Sequence, residues 1–383
     1  MSSTPAPPHG PTALHAVQLV GRGEGGSGVH VRSLAAGLVA RGIRVTVVAT
    51  PAAAERYGFA AAGALVARLP ERGGLATAPL CTATTLRAAC AGADLVHAHG
   101  LQCGLMACST ILGQRRPLVV TWHTRHHPDG VRGRMMPLLE RRVSRSARVV
   151  LGATTDLVDG ARRRGARDAR LAPIAVPAPR HPHPHPGGDG AALRRQQVRA
   201  ELGAPDRPLV LTAAPLDAYG THEPLLEAAR MWRALPEQPL LAVAGEGPAR
   251  GRLQRRIDAE KLPVRLLGRR DDLPRLLAAA DVAVLSSPWE ARPVLAQEAL
   301  HAGAPLVATA VGGVPELVGD AAELVPYGDA RALADAVAAL LHDPGHRAAL
   351  SAAGRAQAGT WPTEDDTVTQ VLSIYDELMT YEA

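Results

Sequence analysis

Aromatic residues make up only 3% of this 383-residue chain, with a single phenylalanine. Its interior must therefore be built from alanine, leucine and valine. Lysine is almost absent too. Lys261 stands alone among 42 basic residues, the rest being arginine. Cysteine is sparse, and Cys81, Cys90, Cys103 and Cys108 form no Cys-x-x-Cys pair. That spacing argues against a disulfide framework or a zinc site and predicts reduced, mostly buried thiols in a cytoplasmic protein. No apolar run approaches the roughly 20 residues a membrane-spanning helix needs. Met1 to Thr12 lacks a basic segment followed by an apolar one, so it reads as a short disordered leader rather than a signal peptide.

What is present is enough for two domains. The hydrophobic fraction is 46%, and 383 residues exceed one ordinary core. Charge is uneven. From Arg125 to Arg170 twelve arginines face five acids, a surplus of seven, against six for the whole chain (42 minus 36). Such a patch suits an anionic membrane surface, which would place the protein peripherally on the inner face of a membrane, or a phosphate-bearing acceptor. A solvated helical face explains it equally well. No nucleic-acid partner is expected.

Strand-like runs alternate with helical patterns, which predicts doubly wound parallel sheets. Ala16–Val20 begins the first domain, followed by a glycine-rich turn, a helix near 29–41 and a strand at 43–49. Later strands fall at 95–98, 118–122 and 148–151. Pro173 to Gly190 carries alternating His-Pro units (His181 to Pro186) that can be neither helix nor central strand. The pattern restarts at Leu209, with strands at 240–245, 264–267, 282–285 and 306–308. The expected boundaries are a leader at 1–12, a first Rossmann-like domain at 13–176 and a linker at 177–205. A second Rossmann-like domain follows at 206–360, then a final helix at 361–383. Open parallel sheets bind ligands at the carboxyl ends of their strands, which here would face a central cleft.

Three features carry chemistry. Gly23-Glu24-Gly25-Gly26-Ser27-Gly28 lies between a strand and a helix, where glycines admit close approach of an anion. Its spacing is not Gly-x-Gly-x-x-Gly, and a tight turn is its default reading. His97, His99 and His123 fall at strand ends. Finally, Trp289-Glu290-Ala291-Arg292-Pro293-Val294-Leu295-Ala296-Gln297-Glu298 sets two glutamates around a helix start. Pro293 fits the first turn, where its missing N–H costs nothing. The N–H groups of Val294, Leu295 and Ala296 then form an anion site suited to phosphate. Carboxylates on either side suit the hydroxyls of a sugar and a ribose.

This stretch, with Ala302 to Thr309 and Gly312-Gly313-Val314-Pro315-Glu316-Leu317-Val318 behind it, resembles glycosyltransferase family 4. Gly25 to Val31, Asp94 to Gly100, Thr121 to Thr124, Leu267-Gly268-Arg269 and Ala278 to Val282 extend the likeness over nearly the whole chain. The resemblance implies the GT-B fold and metal-independent, retaining transfer from a nucleoside diphosphate sugar to a lipid, glycan or small-molecule acceptor. It implies Glu290 on the hydroxyls of the transferred sugar, Glu298 on the ribose, and the backbone of Pro293, Val294 and Leu295 on diphosphate. The Gly25–Gly26 loop would close over the diphosphate, His123 would sit beside the sugar, and Gly268 and Arg269 would line the nucleotide side.

One departure stands out. Family members carry an arginine and a lysine that clamp the diphosphate. Here the arginine position is Pro215, the lysine position is Tyr219 or Gly220, and Asp217 lies between. Removing one preorganised donor to a developing charge costs about 2.7–4 kcal/mol. Arg22, His222, Arg269, Arg270 and Arg292 are candidate substitutes, with Arg292 the best placed. The loss also motivates a second reading, a homologue that binds nucleotide sugar or a protein partner without turnover. A sugar-nucleotide epimerase shares this two-domain architecture, but the paired glutamates favour transfer.

Overall fold

The computed structural model describes residues 14–22, 26–69, 78–110, 116–125, 130–175, 190–217 and 221–380. The expected leader lies outside them, as do Gly25, Tyr219 and Gly220. Two compact units emerge, Met1–Ala175 with Pro362–Ala383, and Val176–Trp361.

Among the described residues the first unit holds seven strands, β1 (His15–Gly21), β2 (Arg44–Ala49), β3 (Leu65–Arg68), β4 (Leu95–His99), β5 (Leu118–Trp122), β6 (Val149–Gly152) and β7 (Ala169–Leu171). They lie in the order β3-β2-β1-β4-β5-β6-β7, all paired in parallel. The order reverses between β1 and β4, which is where a doubly wound sheet opens its ligand crevice. Apolar residues on both faces let β1 be buried from His15 to Val20. Short β3 and β7 escaped the sequence reading because three or four residues carry little periodicity.

The final helix, Glu364–Thr380, packs on the helix Ser27–Ala40. Val368, Val371, Ile374, Tyr375 and Leu378 enter the first core. Gly37 makes that approach possible, since a Cβ there would stand 2.4 Å from a Val368 methyl. Arg170 clasps Glu377 from the sheet side at 2.7 and 2.8 Å.

The second unit repeats the plan with β8 (Leu209–Ala213), β9 (Leu240–Ala244), β10 (Val264–Gly268), β11 (Val282–Leu285), β12 (Leu306–Thr309) and β13 (Glu323–Val325). Their order is β10-β9-β8-β11-β12-β13, again parallel. One expectation needs correction. The linker assigned to 177–205 ends earlier, because Ala191–Glu201 is a helix. Val198, Leu202 and Ala204 are buried in the second core. Beyond Gly190 the prolines stop, and a run of good helix formers with one apolar face packs rather than bridges. The His-Pro repeats themselves lie outside the described residues.

Buried Cys90, Cys103 and Cys108 are free thiols, and burial pushes all three above the ordinary thiol range. They are packing residues. Among the described residues no helix is long and apolar enough to cross a membrane.

Candidate active site

In the second unit, β11 delivers its chain into the glutamate stretch through two anchored serines. The Ser286 hydroxyl donates to the Thr221 carbonyl at 2.7 Å, and the Thr309 hydroxyl donates to the Ser287 carbonyl at 2.8 Å. Glu290 follows, mostly buried. Burial raises its pKa above the usual carboxylate range, the Ser287 hydroxyl pulls it back, and the negative Asp217 raises it again. The Glu290 carbonyl accepts from the Gly313 N–H at 2.9 Å. Gly312 lies against it with φ +53°, and a Cβ there would be 2.1 Å from that oxygen. This explains the paired glycines after β12 better than a generic turn does.

The helix Val294–Ala302 starts one residue later than Pro293 was expected to begin it. With φ −63° and ψ 132°, Pro293 is the cap and not part of the first turn. Its carbonyl accepts from the Gln297 N–H at 3.2 Å. The N–H groups of Val294, Leu295 and Ala296 therefore precede the first intrahelical bond and point out of the helix start. The Gln297 amide donates back to the Arg292 carbonyl at 3.0 Å, fixing the entry loop. Glu298 sits one position beyond, half-buried on the same helix.

Elsewhere in the second unit, glycines bring the ends of β8, β9 and β10 together. Gly268 closes β10 at φ +75°, and its carbonyl accepts from the Gly245 N–H at 2.8 Å. A Cβ on Gly245 would meet the Ala214 carbonyl at 2.0 Å, and one on Gly247 the Leu216 carbonyl at 2.2 Å. Ala214 to Leu216 includes Pro215, the position at which the sequence resemblance leads us to expect an arginine. The His222 Nε2 atom donates to the Pro215 carbonyl at 2.9 Å, which places an imidazole beside that segment.

The candidate substitute cations separate clearly. Arg269 is exposed and pairs with Asp271 at 3.4 Å. Arg270 makes two bonds of 2.7 and 2.6 Å to Asp272. Arg292 differs, since its Nε and Nη2 atoms are buried with no hydrogen-bond partner among the described residues. Its guanidinium lies 5.8 Å from the Trp361 ring centre. Burial lowers its pKa, with Glu316 opposing that shift.

In the first unit, the carboxyl ends of β4 and β5 and the start of the helix Ser27–Ala40 assemble a cluster of histidines. His97 and His99 stack at 4.3 Å between ring centres, and His30 stands edge-on to His99 and His123 at 5.6 and 5.4 Å. A chain of side-chain hydrogen bonds runs through them. His123 Nε2 meets His99 Nδ1 at 3.0 Å, and His99 Nε2 meets Gln18 Oε1 at 2.8 Å. The Gln18 amide donates to the Tyr375 hydroxyl at 2.7 Å, which meets His97 Nδ1 at 2.7 Å. His97 Nε2 reaches the Thr121 hydroxyl at 2.7 Å. Burial holds all four imidazoles neutral, lowering His30 to about 4 and His97 to about 3. His99 and His123 are pushed well below the ordinary value by burial and by neighbouring rings. The cluster is not arranged as a metal-holding group among the described residues.

Of the glycine loop, Gly26 is described. It caps the helix with an ordinary φ of −74°, and a Cβ there would meet nothing within 4 Å. The steric demand falls instead on Gly28, where a Cβ would stand 2.3 Å from the Tyr57 ring. Gln18, His30 and Tyr375 were not singled out in the sequence, because a lone polar residue in a strand or helix carries no local signal.

Known proteins share this plan. The family model described as "Glycosyl transferase 4-like domain" matches residues 25–177, and "Glycosyl transferases group 1" matches residues 194–357. The chain is 31% identical over 270 residues to the alpha-D-kanosaminyltransferase of Streptomyces kanamyceticus, across 65% of this chain and 68% of that one. The chain belongs to glycosyltransferase family 4. This glycosyltransferase is also 33% identical over 195 residues to the D-inositol 3-phosphate glycosyltransferase of Xylanimonas cellulosilytica, across 48% of this chain and 46% of that relative. Among solved structures, the Anabaena HepE protein in complex with UDP and glucose matches with a TM-score of 0.78. It covers 95% of this chain and all of its own, at 19% identity. That likeness shows the fold, which is GT-B.

Proposed function

We propose that this glycosyltransferase moves a sugar from a nucleoside diphosphate donor, with retention of anomeric configuration, to a hydroxyl-bearing acceptor. One observation carries the reading. The open N–H groups of Val294 to Ala296 are flanked by Glu290 on the loop and Glu298 on the helix. A helix start favours a diphosphate by its dipole and its donors together. Carboxylates accept hydrogen bonds from hydroxyls, so Glu290 would hold the transferred sugar and Glu298 the ribose. A HepE structure holding UDP and glucose in the same fold supports a donor of this class.

Departure of the diphosphate needs positive potential and no metal in this reading. The helix start supplies part of it, and Arg292 the rest, since its buried guanidinium has donors to spare. His123 in the first unit would contact a substrate hydroxyl. Gly25 and Gly26 would allow backbone to approach phosphate, and Gly268 and Arg269 would border the nucleotide.

The acceptor side favours an anionic surface. On the helix Gly130–Ser146, Met135 is 55% and Leu138 65% exposed, while Arg141, Arg142 and Arg145 are exposed beside them. Apolar side chains amid arginines suit insertion at a headgroup boundary. Salt-insensitive binding to anionic vesicles, or none, would count against this.

The deciding experiment is turnover on a panel of nucleotide sugars with and without EDTA, with the anomer of the product read by NMR. Calorimetric titration of nucleoside diphosphates runs beside it. Transfer with retention, unaffected by EDTA, is the expected result. Tight nucleotide binding with no turnover on any donor would favour the non-catalytic homologue instead.

A further inference from the structure

The hydrogen-bond chain in the first unit has a direction, and the direction decides what His123 offers. Each neutral imidazole has one N–H and one lone pair. The Gln18 oxygen is an acceptor, so His99 must donate from Nε2. His99 then has only a lone pair at Nδ1, and His123 must donate to it from Nε2. At the other end, Tyr375 accepts from the Gln18 amide and spends its own proton on His97 Nδ1. His97 donates from Nε2 to Thr121. All three rings thus carry Nε2–H, the tautomer that neutral imidazole favours in water.

Turning the Gln18 amide over would reverse every link together. The reversed chain would leave a buried N–H on His123 Nδ1, whose atom has no partner among the described residues. An orphaned buried N–H is rarer in folded proteins than an unused lone pair. The observed direction leaves only a lone pair there, and the rotatable Thr121 hydroxyl ends the chain.

We propose that Gln18 and Tyr375 are positioning residues that hold His123 as its Nε2–H tautomer, with Nε2–H spent on His99 and only a lone pair left at the buried Nδ1. The kinetic part of its test rests on the reading that His123 lies beside the substrate. The chain ties a histidine on the first sheet to the C-terminal helix through groups that touch no ligand.

The test is long-range 15N–1H NMR of the full chain with labelled histidine, alongside kinetics of Tyr375→Phe and Gln18→Met. In the native protein His123 should carry its proton on Nε2. Tyr375→Phe frees the Gln18 amide to turn, so His123 should become a mixture of tautomers. Its kcat/KM should fall about three- to tenfold, the worth of one hydrogen bond, and the thermal midpoint should fall too, because buried polar atoms of Gln18 and His97 lose their partner. Gln18→Met should do the same by a different cut. A proton on Nδ1 in the native protein overturns the proposal, as does a His123 tautomer that neither variant moves. His123→Ala separates the two readings. If its turnover equals the native value, contact with substrate is wrong, while the NMR result still judges the tautomer.

Discussion

Gly312 presses so closely on Glu290 that any side chain at 312 would fall 2.1 Å from the Glu290 carbonyl oxygen. The same oxygen accepts from the next amide, Gly313 N–H. The backbone carrying the carboxylate proposed to hold the sugar is therefore fixed by a turn that follows a different strand, β12. Gly312 also has φ +53°, which L-residues seldom adopt.

Gly312→Ala should accordingly displace Glu290. Turnover should fall at least about tenfold and stability by roughly 1–3 kcal/mol, the range for overpacking and unfavourable backbone. Gly251→Ala is the comparison, since that helical glycine meets only the end of Arg255, at 3.6 Å. Calorimetry and donor kinetics on both variants check this. Equal kinetics for the two would remove Gly312 from the account.

Much of this was legible in the sequence, for identifiable reasons. Fully buried parallel strands such as Val282–Leu285 are continuous apolar runs, and Leu118–Trp122 is broken only by Thr121; Glu290 to Glu298 is contiguous, so its spacing shows directly. What stayed hidden depends on distant pairs. Gln18 and Tyr375 are 357 positions apart, and nothing local marks either as half of a bond. The surroundings of Arg292 were hidden likewise. Trp361 and Glu316 lie far along the chain, and only the folded unit brings them to the guanidinium.

The histidine cluster should make the first unit acid-labile. The folded pKa values of His30, His97, His99 and His123 are lowered, so the unfolded state binds more protons. The stabilisation is fully present above about pH 6.5 and is lost as pH falls toward the folded values, about 4 for His30 and about 3 for His97. Each buried ring costs about 1.4 kcal/mol per pH unit across that window. Urea midpoints of the native chain should drop steeply between pH 6.5 and 4, and those of His97→Gln less so. A parallel dependence in both proteins would deny the cluster this role.

Packing of the C-terminal helix gives a paired test. Gly37→Ala puts a methyl 2.4 Å from Val368, which should lower the thermal midpoint through about 1–3 kcal/mol of overpacking. Adding Val368→Ala removes the opposing methyls, so the double variant should be more stable than the sum of its single changes predicts. Simple additivity would mean that the two helices do not press together at this point.

Arg292 tests whether a buried guanidinium takes part in diphosphate binding. Arg292→Met keeps an unbranched side chain against Trp361 while removing the charge, so the fold should survive. Its buried Nε and Nη2 donors are without hydrogen-bond partners among the described residues, and a bound diphosphate would satisfy them. Hydrogen bonds to a charged group are worth about 1.5–3 kcal/mol. Nucleoside diphosphate affinity should then fall roughly tenfold or more, while the unphosphorylated nucleoside, which makes no use of the guanidinium, should bind as before. If both ligands weaken equally, Arg292 supports the loop through Trp361 and Glu316, and the helix start at Val294 must neutralise the departing diphosphate by itself.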